Sequence, residues 1–256
     1  MVVRWGVALL VTVGGAVHAQ SLQSRVETVG SGHVNLHFEG REGICGDGSR
    51  FMRLGTSYQG SYSDATRSAA CVTGPVQVRL TMEEGRVTHV ETWVGTLRTR
   101  EGHDLGGVSA REAAQYFLSL AGRISGSTGG TAILPAVLAE SSVVWPALLK
   151  IARDETLSRN VRRESAFWLS RYAAGAIDGR KNDPLTIDDG DDEGISLKKH
   201  AVFVLSQLPH GEGVSELIHV AESGADHRVR SQALFWLGQT DDGRALAVFE
   251  SILRGS

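Results

Sequence analysis

The sequence predicts an α+β fold: a small β-rich module followed by an α-solenoid of paired helices. Three observations predict it. Apolar residues alternate with period two as far as about residue 98, they recur at helical spacing from about Ser109, and one eleven-residue pattern returns three times in the helical half. The β-rich module is placed at residues 20–98 and the helical part at 109–256. The chain has 256 residues, 41% of them hydrophobic, and a formal charge of -3. That composition excludes a disordered or membrane-filling chain and argues against electrostatic recruitment to nucleic acid. Lysine stands only at positions 150, 181, 198 and 199, so the cationic residues are mostly arginines spread along the chain rather than gathered as a phosphate-binding patch.

Residues 1–19 have the grammar of a signal peptide. Arg4 precedes the apolar run Trp5–Val13, then Gly14 and Gly15 lead to the small-residue ending Val17-His18-Ala19, with cleavage expected after Ala19. The run is shorter than the roughly 20 residues that cross a bilayer, so no membrane span is expected in the mature chain. Export to the periplasm or the extracellular space suits the two cysteines, Cys45 and Cys71, which in an oxidising compartment are expected to pair. No C-x-x-C is present, and two thiols alone do not complete a zinc site.

In the first half, Val34-Asn35-Leu36-His37-Phe38 alternates as a half-buried strand does. The runs 76–82 and 87–94, joined by Glu83-Glu84-Gly85-Arg86, read as a β-hairpin. The glycine-rich segment 41–50 reads as tight turns, which a Cys45–Cys71 bridge would staple to the sheet.

In the second half, Ser109-Ala110-Arg111-Glu112 is a capping box that opens a helix closed by Gly122, and a second helix is expected near 132–140. The three copies are VRRESAFWLSR from Val161, LKKHAVFVLSQ from Leu197 and VRSQALFWLGQ from Val229, starting 36 and 32 residues apart. Companion helices are expected at 146–153 and 214–222, with a last helix at 244–253. The slot for the middle unit's first helix, 182–194, is broken by glycines and clustered acids. Each hairpin alone leaves an apolar face bare, so neighbours must stack to cover it, and Phe167, Phe203 and Phe235 should lie along one seam.

These residues resemble HEAT repeats, including the short repeats of phycobilin-lyase-type proteins. Asp226-His227-Arg228-Val229-Arg230-Ser231-Gln232-Ala233-Leu234 follows the turn-Asp, Val-Arg, Ala-aliphatic signature, whereas the copy at 197 has Gly194 where the turn Asp belongs. The resemblance spans about 142–256. It implies a stacked scaffold for protein–protein interaction, with no catalytic residues and no cofactor. It also implies a structural ladder of Arg162, Lys198 and Arg230 with Asp226. The neighbouring Arg163, Lys199 and Arg228 remain as candidates for contact with a partner, another envelope or secreted protein.

Other chemistry is thinner. An EF-hand placed on Asp189, Asp191 and Glu193 would need a carboxylate where His200 stands, so the acidic run 183–193 reads as a solvated turn. His33 and His37 share a strand face but lack a third ligand. Ser196-Leu197-Lys198-Lys199 fits S-x-x-K without its companion motifs, and Ser196 reads as a helix N-cap. Trp168 and Trp236 recur at one repeat position and read as packing. The alternative to a scaffold is an enzyme or small-ligand binder at the junction of sheet and helices, near Arg41, Glu42, Asp47 and Arg50.

Overall fold

A computed structural model describes residues 20–49, 51–55, 57–60, 71–124, 127–140, 142–180, 182–185 and 193–255. Residues 1–19, where a signal peptide is expected, Arg50 and residues 186–192 of the acidic run lie outside them. The first half holds α1 (Leu22–Glu27), β1 (Gly32–Phe38), β2 (Ile44–Gly46), β3 (Phe51–Leu54), β4 (Ser57–Gly60), β5 (Val76–Glu83), β6 (Arg86–Val94) and β7 (His103–Gly107). The helical half holds α2 (Ala110–Ala121), α3 (Ser127–Thr131), α4 (Ile133–Leu138), α5 (Trp145–Arg153), α6 (Arg159–Ile177), α7 (Glu193–Ser206), α8 (Val214–Ser223), α9 (His227–Gln239) and α10 (Gly243–Gly255). The α+β class is as the sequence predicts.

The alternating residues build a four-stranded sheet in the order β6-β5-β1-β7, and a second sheet has the order β2-β3-β4. Val34, Leu36, Phe38, Val76, Val78, Leu80 and Met82 all point to one face and are buried. That face packs on α2 and α4, with Phe38 and Phe117 ring centroids 6.2 Å apart. The β5–β6 hairpin turns on Glu84 and Gly85 alone, both at positive φ (51 and 74), tighter than the four-residue turn expected. β7 pairs parallel to β1, so the sheet continues past residue 98.

The outer face of this sheet is polar and is covered by the segment 95–102. Buried Gln77 donates to the carbonyls of Gly95 and Thr96 and accepts from the Arg98 amide, while Asn35 donates to the Glu101 carbonyl. Arg100 lies 3.7 Å over the Trp93 ring and donates to Gly48 O, which ties the glycine loop to the same strap. Cys45 and Cys71 are bridged, and a one-residue pairing of Gly46 with Val72 sits beside them. Closing 26 residues this way restricts the unfolded chain by roughly 3 kcal/mol on the entropic account.

The expected helices form, and Ser109 Oγ caps α2 by accepting from the Glu112 amide. The capping box is not reciprocal, because Glu112 instead accepts from the Leu22 amide and so caps α1. Helix α7 starts at Glu193, which puts Ser196 inside the helix rather than at its cap.

The helices do not stack in chain order. α9 lies against both α6 and α7. α6 and α9 run antiparallel: Arg159 at the start of α6 pairs with Asp241 beyond the end of α9, at 3.0 Å, and Asp178 beyond the end of α6 pairs with His227 at the start of α9, at 2.8 Å. Equivalent positions of the first and third copies meet at the crossing. Phe167 stands edge-on to Phe235 at 6.3 Å, and Gly238 lies against Ser170. The aromatic row continues from Phe235 to Trp236 (5.0 Å) and on to Phe203 (5.2 Å). The three phenylalanines thus share a seam, with the third copy between the first and the second.

Gly238 sets the spacing of that crossing, because a Cβ there would lie 2.6 Å from Ser170 Oγ and 3.2 Å from Ala166 O. Gly238→Leu should therefore lower the urea-unfolding free energy by about 1–3 kcal/mol, the usual cost of overpacking. Adding Ser170→Gly in the same chain should restore part of the loss.

Candidate functional site

Two places at the junction of sheet and helices hold converging side chains. The first is built on Arg41. Residues 39–41 pair with 138–140 through Arg41 N to Leu138 O (2.8 Å) and Glu140 N to Glu39 O (3.0 Å), which carries the Arg41 side chain in among the helices. Its Nε donates to Val137 O at 2.6 Å, Nη1 to Asn182 O at 3.0 Å, and Nη2 to both Ser142 O and the Tyr172 hydroxyl. Tyr172 is fully buried, and burial pushes its phenol up to about 12, so it stays a neutral acceptor at any ordinary pH. The guanidinium is spent on holding the two halves together.

The other junction residues are engaged as well or stand apart. The Asp47 carboxylate accepts from the Ser49 and Phe51 amides at 2.8 and 3.0 Å, which makes it a turn builder. Glu42 is exposed.

The second place is an open groove of about 800 Å³ between β6 and the α6–α9 seam. Met52, Val90 and Leu134 form its apolar floor, and Phe167 and Phe235 form the far wall. Thr92, Thr131, Asn160 and Gln239 supply polar rims, and Arg163 stands exposed at the mouth. Glu164 also lines it. Burial raises the Glu164 carboxyl above its ordinary value, and the 2.9 Å hydrogen bond from Trp168 Nε1 opposes that shift in part.

The basic residues singled out from the repeats have separate fates. Arg162 reaches Asp241 at 3.8 Å, Arg230 donates to Ala221 O at the end of α8, and Lys198 is exposed on α7. Asp226 caps α9 through the Arg228 amide and binds the Arg228 guanidinium, which holds its carboxyl at about 2. Arg228 is therefore committed locally. Lys199 is half-buried on α7, and of the three partner candidates Arg163 alone faces the groove. His33 sits 3.4 Å from Thr81 Oγ1 and His37 packs beside Gly107; among the described residues no three His, Cys, Asp or Glu side chains gather as a metal set. The sequence reading missed the groove because its walls come from β3, β6, α4, α6 and α9, and only the Glu164–Trp168 spacing of four was visible locally.

Arg41→Met should cost about 2–4 kcal/mol, because it strands carbonyls and a phenol that had charged donors. Arg41→Lys should recover little of this, since a point ammonium cannot span the same fork; chemical denaturation measures both. Glu164 has the opposite sign from most carboxyls. Its raised folded value means that its stabilising contribution is complete below its unfolded value near 4.5 and is lost as pH rises through the higher folded value. Glu164→Gln keeps the acceptor for Trp168 and should flatten the fall in thermal midpoint between pH 4.5 and 7. No protein-family model, curated protein or solved structure matches this chain.

Proposed function

We propose that the chain is an exported, non-enzymatic scaffold that binds another envelope or secreted protein. The observation that carries this reading is the open groove of about 800 Å³, which has an apolar floor and aromatic wall, scattered polar rims and an exposed cation at its mouth. Such a composition suits a protein segment, since interfaces combine an apolar centre with a polar rim. A small-ligand site at Arg41 and Asp47 is the weaker reading, because both side chains are taken up by internal hydrogen bonds.

The disulfide is compatible with an oxidising compartment, which supports export. The HEAT resemblance of 226–234 supports the hairpin as the local unit: Asp226 caps α9, while Val229 and Ala233 are buried against their neighbours. The repeat copies meet as an antiparallel pair, so the scaffold differs from a simple run of successive rungs.

Residues 20–256 immobilised and exposed to an envelope extract should retain a protein that mass spectrometry identifies. Phe235→Glu should lose that protein, and the exposed α2 variant Arg111→Glu should keep it. Equal retention by Phe235→Glu and the unaltered chain would defeat the groove as the binding site.

A further inference from the structure

Among the described residues the groove is lined by one acid, Glu164, and one base, Arg163, and the two stand at different depths. Arg163 is exposed at the mouth, whereas Glu164 is half-buried. Consecutive residues of a helix do not face each other, and among the described residues Glu164 makes no ion pair. Helical spacing sets Asn160, Glu164 and Phe167 along one stripe of α6, and Phe235 and Gln239 along one stripe of α9. All five line the groove. The backbone of α3 comes close behind the acid, since a Cβ at Gly130 would lie 3.8 Å from Glu164 Cβ.

This carboxyl has an unspent capacity. Trp168 Nε1 donates to Oε1 at 2.9 Å, and that is the hydrogen bond Glu164 makes among the described residues. Burial is the main influence on its titration and works against the charged form. A cation brought beside it reverses that cost. An apolar side chain filling the same space would strip water from the carboxyl and give nothing back. An acidic one would add a like charge. A long basic side chain suits the whole lining: its alkyl stem matches Met52, Val90 and Leu134, and the rings of Phe167 and Phe235 attract a cation as well.

We infer that the groove selects a lysine or arginine of the partner protein, its stem along the apolar floor and its charged head at the Glu164 carboxyl. This rests on the partner-binding reading and names the chemistry of the partner. The Arg163 charge stands in water at the mouth, where ions screen it, so it weighs less on the bound head than the half-buried carboxyl does.

The test pans a displayed library of random twelve-residue peptides on the purified protein at neutral pH. Enriched peptides should share a lysine or arginine flanked by apolar residues. A lysine-bearing representative should bind Glu164→Gln at least tenfold more weakly; this variant keeps the acceptor for Trp168, so the comparison isolates the charge. Replacing that lysine by methionine in the peptide should cost about as much on the unaltered protein, and the two changes together little more than either alone. Arg111→Glu should leave binding unchanged. A water-soluble carbodiimide should couple the peptide lysine to Glu164, located by mass spectrometry, and this decides the matter if Glu164→Gln does not fold. Enriched peptides without a common basic residue would overturn the proposal. So would no enrichment over a Glu164→Gln surface, equal affinity of that variant, coupling confined to other carboxylates, or a dimer of the chain that Glu164→Gln dissolves. Retention of one envelope protein by both the unaltered chain and Glu164→Gln would remove the basic anchor while leaving the partner-binding reading in place.

Discussion

One guanidinium ties the two halves of this fold together at several points. Arg41 leaves β1's end on a short pairing with residues 138–140 and reaches acceptors from α4, from the loop after it, from α6 and from Asn182. Val137 and Tyr172, two of these acceptors, are fully buried, and leaving such a group unmatched costs more than the bond itself contributes. Arginine suits the place because its donors diverge in a plane, so one side chain satisfies groups on several elements at once. It fixes the end of β1 beside Tyr172 of α6, while Phe38 on Phe117 and α3 against β6 hold the rest of the sheet to the helices.

The second constraint is the close crossing of α6 and α9. Two helices with nearly the same apolar face can meet either as successive parallel rungs or face to face about a two-fold axis, since a self-complementary surface permits both. Here they meet face to face, with Phe167 on Phe235 and Gly238 letting the backbones approach beside Ser170. Once α6 and α9 are paired, α7 can reach only the outer side of α9. Its far face is left to solvent, with Leu197 72% and Val204 47% exposed. The broken slot at 182–194 would have supplied the helix to cover that face in a regular stack.

Much of this was legible in the sequence. The alternation at 34–38 and 76–94, the cap at Ser109, every long helix and the Cys45–Cys71 bridge follow from local rules of period, capping and compartment. Assembly order was not, because identical repeat segments encode which face is buried but not which copy it is buried against. β7 was missed for a related reason: His103-Asp104-Leu105-Gly106-Gly107 has little apolar alternation and is held by pairing with β1 rather than by its own pattern. The basic column dissolved once α6 and α9 turned out antiparallel, since a column requires copies that repeat by translation. Arg163 kept its place at the groove because exposure on the face beside the aromatic seam is set by its own helix. Glu164 could be seen only as an i,i+4 neighbour of Trp168; its burial comes from elements distant in sequence.

An open sheet edge invites unwanted pairing, and proteins usually blunt it. In this chain the small β2–β3–β4 sheet comes up against the end of β6, where Gly48 takes the Val94 carbonyl. Asp47, Arg98 and Arg100 hold the glycine loop in place through hydrogen bonds to backbone groups on either side. The loop is therefore fixed against β6, where its Gly48 amide meets the Val94 carbonyl, and this contact blunts that edge of the sheet.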